Sequence, residues 1–169
     1  MNAVFPTWNE SGAGEALEPM LSCCGARRWA ETMVGLRPFA SEDEFRGAAD
    51  RVWAAMKEAD WLEAFACHPR IGERKAAHAS VQAAKWSQSE QSSTETAAQF
   101  VLAQIAEGNR RYEETFGFTY IVCATGKTAE EMLAILNRRL VSDRDCELRE
   151  AAEQQRLILQ LRIGKWLSE

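Results

Sequence analysis

The run Phe118-Thr119-Tyr120-Ile121-Val122-Cys123 decides the fold. Short, β-branched and aromatic, it has the composition of a strand. A strand needs a neighbour to take up its backbone N–H and C=O groups, and no second run of this kind stands elsewhere in the chain to pair with it. The segment is therefore read as an extended, buried connector, and the elements around it are read as helices. On its N-terminal side a helical pattern runs from about Ser87 through Ala97, Val101, Ile105, Gly108 and Tyr112 to the breaker Gly117. On its C-terminal side Thr128 opens a helix with Met132, Leu133, Leu136 and Leu140 on one face. A last helix carries Leu148, Ala152, Gln155, Leu159, Ile163 and Trp166.

Further upstream, apolar residues after Ser41 recur at Phe45, Ala49, Val52, Met56 and Ala59 and continue through Trp61, Leu62 and Phe65. That helix must stop near Pro69, because the residue before a proline is disfavoured in the α region. Ala16 to Cys24 and Arg28 to Leu36 read as two shorter helices. Three helix starts share one signature, a hydroxyl residue followed three positions later by Glu: Ser41 with Glu44, Ser87 with Glu90, and Thr128 with Glu131. In each, either side chain can satisfy the other's open backbone N–H. The 169 residues are 46% hydrophobic, enough for one sizeable core, and show no internal repeat, low-complexity tract or interdomain linker. The expectation is an all-α, single-domain helical bundle over residues 1–169.

A net charge of −5, with acidic and basic residues interspersed, argues against a nucleic-acid groove or an anionic membrane surface. No apolar run approaches the roughly 20 residues of a membrane span. The five cysteines (Cys23, Cys24, Cys67, Cys123, Cys146) are odd in number and lack paired metal-ligand spacing. With no secretory leader ahead of them and no Ser-Lys-Leu ending, the expected setting is a reducing cytoplasm. The expected partners are a small molecule and another copy of the chain.

Only His68 and His78 are available as histidines, and the cysteines complete a ligand set with neither, so a metal site is not expected. Cys67, beside His68, reads either as a thiol nucleophile or as a small buried hydrophobe, the commoner case. His68 closes a helix before Pro69, where the negative end of the helix dipole favours imidazolium. It is either a capping histidine or a proton donor. Glu90 belongs to a capping box, yet Ser87, Glu90 and Gln91 also share a helical face that offers a hydroxyl, a carboxylate and an amide to one ligand. Arg162 falls inside the apolar stripe of the last helix, and a buried guanidinium there needs an anion, from the protein or from a substrate.

Together these pieces resemble a known family. The stretch from Ala59 to Glu73, ADWLEAFACHPRIGE, is similar to the signature of the 2-oxo-4-hydroxy-4-carboxy-5-ureidoimidazoline (OHCU) decarboxylases. So are Trp86-Ser87-Gln88-Ser89-Glu90-Gln91, Asn109-Arg110-Arg111-Tyr112 with Phe116-Gly117-Phe118, Ile121-Val122-Cys123-Ala124, and Leu161-Arg162-Ile163. Cys23-Cys24-Gly25, Trp29 and Arg37-Pro38-Phe39 extend the likeness over nearly the whole chain. The resemblance implies an all-α fold, a homodimer, no metal or organic cofactor, and conversion of OHCU to (S)-allantoin with loss of carbon dioxide. It also implies that His68 and Glu90 are catalytic, and that Pro69, Ser87, Gln91, Arg162 and the backbone of Tyr120, Ile121, Val122, Cys123 and Ala124 contact substrate. The segment from Arg74 to Lys85 departs from many relatives in composition and length, and Tyr120 replaces a simpler residue, so its contact is expected through the backbone. Two other classes remain open on the residues alone: a helical binding or scaffold module, and a hydrolase of a neighbouring purine-pathway ureide.

Overall fold

The structure is a computed structural model that describes residues 3–71 and 99–169. Among them are eight helices and no strand, as the unpaired connector required. They are α1 (Val4–Glu10), α2 (Ala13–Cys23), α3 (Arg27–Gly35), α4 (Glu42–Ala54), α5 (Glu58–Ala66), α6 (Gln99–Phe116), α7 (Ala129–Arg139) and α8 (Arg144–Trp166). The chain is organised as two compact units, Met1–Ala64 with Arg156–Glu169, and Phe65–Gln155.

The first unit is built on aromatic packing. Trp8 meets Phe45 and Trp166 edge-on, with ring centroids 5.1 and 5.5 Å apart, and Phe39 meets Phe45 at 5.5 Å. Two buried indoles place their polar ends on main-chain carbonyls, Trp8 Nε1 donating to Ala16 at 2.9 Å and Trp29 Nε1 to Ala49 at 3.1 Å. Helix α1 has no counterpart in the sequence reading. Its seven residues carry only two buried anchors, Phe5 and Trp8, too few to show a period.

The second unit packs Phe65, Tyr112, Phe116, Phe118 and Tyr120 ring against ring, the closest pair being Tyr112 and Phe116 at 4.6 Å. Helices α6 and α7 approach closely at Gly108, where an added Cβ would stand 2.5 Å from Leu136 Cδ2. Gly117 ends α6 with φ +81°, a left-handed conformation that suits glycine, and its N–H donates to Glu113 O at 2.8 Å.

Two features differ from the expectation. The pattern from Ser41 to Phe65 is two helices, broken at residues 55–57, because Asp60 Oδ2 accepts from Lys57 N at 2.9 Å and caps a new start. Apolar spacing survives such a break, so periodicity does not reveal it. The capping at Ser41 is also shifted: its Oγ accepts from Glu44 N at 3.1 Å, while Glu44 reaches past it to Ala40 N at 2.7 Å. Thr128 and Glu131 form the reciprocal box as read. Ser87, with the start of its helix, lies outside the described residues.

Candidate active site

Helix α5 stops at Ala66, and His68 sits just beyond it in a bend, its N–H donating to Phe65 O at 3.1 Å. His68 therefore follows the helix rather than closing it. Pro69 disfavours helical φ/ψ at the residue before it, which ends the regular helix early. The ring is half-buried, and His68 Nε2 lies 2.6 Å from Gln155 Oε1, an oxygen on α8. Beyond Pro69, Arg70 forms a two-pronged pair with Glu113 of α6, both contacts at 2.6 Å, and Ile71 is buried. The histidine segment is thus fastened on both sides.

The connector is buried from Phe118 to Ala124 except at half-buried Thr119. With no strand beside it, main-chain groups at Ile121 and Cys123 are taken up by side chains from α7, from α8 and from the turn before α7. Arg139 Nη1 donates to Ile121 O at 2.6 Å, Gln154 Oε1 accepts from Cys123 N at 2.9 Å, and Lys127 Nζ donates to Cys123 O at 2.8 Å. Neighbouring glutamines of α8, Gln154 and Gln155, therefore hold the connector and the histidine respectively. The Cys123 N–H is engaged by the protein itself.

Behind the connector lies a buried ion pair. Arg139 and Glu147 are each 3% exposed, and Arg139 Nε donates to Glu147 Oε2 at 2.8 Å. Tyr112 donates its hydroxyl to the same oxygen at 2.7 Å and accepts from Arg139 Nη2 at 3.2 Å. The guanidinium also stands 4.9 Å from the Tyr120 ring centroid. Burial, first, raises the pKa of both phenols above the usual tyrosine range; for Tyr112 the hydrogen bond to Glu147 adds to it, against the opposing charge of Arg139. Both rings stay neutral and act as packing and hydrogen-bonding groups.

Arg162 belongs to the other unit, on α8, and is 1% exposed. Its charge favours the thiolate of Cys23, but burial dominates and pushes that thiol well above its ordinary pKa, so Cys23 is a neutral thiol. The Cys23 sulfur is thus not the anion that balances Arg162. Arg162→Lys keeps the charge and loses the planar fork. If the guanidinium serves substrate, kcat/KM should fall by about tenfold or more, the size of one charged hydrogen bond at about 1.5–3 kcal/mol. Steady-state kinetics with a melting curve check this: full activity, or outright unfolding, would make the arginine structural.

Of the residues singled out in the sequence, His68, Pro69 and the connector come together in one unit, while Ser87, Glu90, Gln91 and His78 lie outside the described residues. Gln154, Gln155, Arg139 and Lys127 were not singled out. For Gln155 the signal was present: an amide inside an apolar stripe, as informative as the arginine seven positions later.

The model of the OHCU decarboxylase family matches residues 9–164. The chain belongs to the OHCU decarboxylase family. It is 36% identical over 148 residues to the uric acid degradation bifunctional protein TTL of Arabidopsis thaliana, covering 87% of this chain and 46% of that protein. The chain thus spans about half the length of that relative. To the 2-oxo-4-hydroxy-4-carboxy-5-ureidoimidazoline decarboxylase of Haloferax volcanii it is 28% identical, covering 82% of this chain and 80% of that one. A crystal structure of an OHCU decarboxylase in the presence of (S)-allantoin superposes with a TM-score of 0.76 at 34% identity, over 88% of this chain and 96% of that one. A structure of an (S)-allantoin synthase, at 16% identity and a TM-score of 0.71, agrees in fold.

Proposed function

We propose that this chain, acting as one domain, decarboxylates OHCU to (S)-allantoin in urate degradation, without a metal or organic cofactor. The observation that carries the reading is the family match over residues 9–164, with the His68-Pro69 pair intact inside it. The bond from the ring carbon to the carboxylate breaks, and its electron pair passes into the adjoining C=N of the substrate. The former imine nitrogen takes up one proton from solvent, the carbon bearing the hydroxyl becomes a carbonyl as that hydroxyl loses its proton, and a proton is delivered to the neighbouring ureido-bearing carbon. The substrate is its own electron sink, so the protein has to orient it and move a proton.

In this proposal His68 exchanges the proton and Arg162 binds an anionic or carbonyl edge. Glu90 holds the hydroxyl or ureido group, with Ser87, Gln91, Pro69 and the backbone of residues 120–124 lining the substrate. The same resemblance supports a homodimer, and the odd number of cysteines without paired spacing supports a reducing, cytoplasmic setting; no helix among the described residues is long and apolar enough to cross a membrane. The test is circular dichroism of allantoin formed from OHCU freshly generated from urate by its oxidase and the following hydrolase. Optically active (S)-allantoin should appear faster with the protein, and equally fast with a chelator present. Loss of activity on chelation and its return with zinc would overturn the cofactor-free mechanism, and no acceleration at all would overturn the activity.

A further inference from the structure

Gln155 is wholly buried in the apolar stripe of α8, between Ala152 and Leu159. An amide in such a place is unfavourable unless both of its ends find partners. One end does: its oxygen lies 2.6 Å from His68 Nε2. The other does not, because Gln155 Nε2 is buried with no hydrogen-bond partner among the described residues. Methionine would fill the same space without an unpaired donor. A residue that costs stability at a core position and touches the histidine of the family motif is explained by what it does to that histidine.

We propose that Gln155 is a positioning residue that fixes the ring and tautomer of His68 and thereby selects Nδ1 as the nitrogen that exchanges a proton with substrate. A carboxamide oxygen only accepts, so the ring nitrogen facing it carries hydrogen. In the neutral ring the lone pair then lies on Nδ1. Nδ1 takes the proton of the substrate hydroxyl, giving imidazolium with both nitrogens protonated, and returns a proton to carbon. The Nε2–H stays on Gln155 throughout, and the ring ends as it began. The inference rests on His68 being the proton-transfer group, as proposed above.

The test compares Gln155→Met and Gln155→Glu with wild type, reading imidazole ¹⁵N shifts for the tautomer, kcat and KM separately, and the melting temperature. The signals of His68 are identified by their loss in His68→Gln. For Gln155→Met the expected result is loss of the fixed Nε2–H tautomer and a fall in kcat of about tenfold or more, up to the roughly 10²–10⁴-fold that the acid–base group itself contributes. KM should change little and the melting temperature should hold or rise, because an unpaired buried donor has been removed. Gln155→Glu keeps an acceptor oxygen at the same reach and should keep Nε2–H. An unchanged tautomer or an unchanged kcat in Gln155→Met overturns the inference. So does a loss of kcat accompanied by a fall in melting temperature, which marks a structural residue. If Gln155→Met does not fold, Gln155→Glu decides: a proton moved off Nε2 in that variant overturns it. A His68→Gln enzyme that remains active overturns the proton-transfer reading instead, whatever the Gln155 variants do to the tautomer.

Discussion

Replacing His68 with glutamine is expected to lower kcat by at least about a hundredfold, the lower bound of what a general acid–base group contributes, while the fold stays intact. His68 lies in a bend after α5 and is half-buried, so glutamine can occupy the site without opening a void in the aromatic core of its unit. The main-chain bond from residue 68 to Phe65 O does not depend on the side chain. The two-pronged Arg70–Glu113 pair anchors the following residues independently. Far-ultraviolet circular dichroism and melting temperature should therefore be nearly unchanged while (S)-allantoin formation collapses. A folded variant working within about tenfold of wild type would remove His68 from the chemistry. Glu90 would then become the candidate proton donor, and it would have to be protonated near neutral pH.

The second large effect is on stability. Glu147→Gln removes the negative partner of a guanidinium that is 3% exposed, and breaking a buried pair on one side typically costs about 3–5 kcal/mol. For a chain of this size that is a fall in melting temperature of about 6–20 °C. Two controls separate the charge from the hydrogen bond. Tyr112→Phe keeps both charges, loses a hydroxyl bonded to the carboxylate and to Arg139 Nη2, and should cost about 1–3 kcal/mol. Arg139→Met with Glu147→Met removes both charges and should recover most of the stability lost by Glu147→Gln. The double variant nevertheless lacks the donor to Ile121 O, so activity should not recover with it. Glu147→Gln melting within a degree or two of wild type would show that Arg139 is not relying on that carboxylate.

Helix class was legible because periodic apolar positions and hydroxyl-x-x-Glu starts are local signals; α7 begins at the box read from Thr128 and Glu131. The connector was legible by elimination, since a solitary strand-like run has nothing to pair with. The signal failed where apolar spacing continues across a stop, as at residues 55–57, where Asp60 starts a new helix that the stripe does not register. It also failed for α1, whose two anchors carry no period. Among the candidate residues, His68, Pro69 and Arg162 stood out by residue type and neighbours. Arg139 did not, because an arginine in the last turn of a helix ordinarily faces water and complements the dipole. Its burial is visible only once Glu147, Tyr112 and the Ile121 carbonyl are in place around it. Gln154 was unreadable for a related reason: its acceptor role is toward a main-chain N–H thirty-one residues away.

Helix α8 is a continuous helix whose buried positions, Glu147, Leu148, Ala151, Ala152, Gln155, Ile158, Leu159, Arg162, Ile163 and Trp166, advance by steps of one and three. Residues up to Gln155 serve one compact unit and those from Arg156 the other. Each added residue turns a helix by about 100°, so one inserted or deleted residue between Glu147 and Gln155 would carry the positions beyond it off the stripe of their own unit. The helix therefore behaves as a reading frame. Point changes at exposed positions such as Glu153, Leu157 and Leu161 leave the phase alone, whereas a change of length between Glu147 and Gln155 would put the ion pair's glutamate and the histidine's glutamine out of phase with each other within their unit.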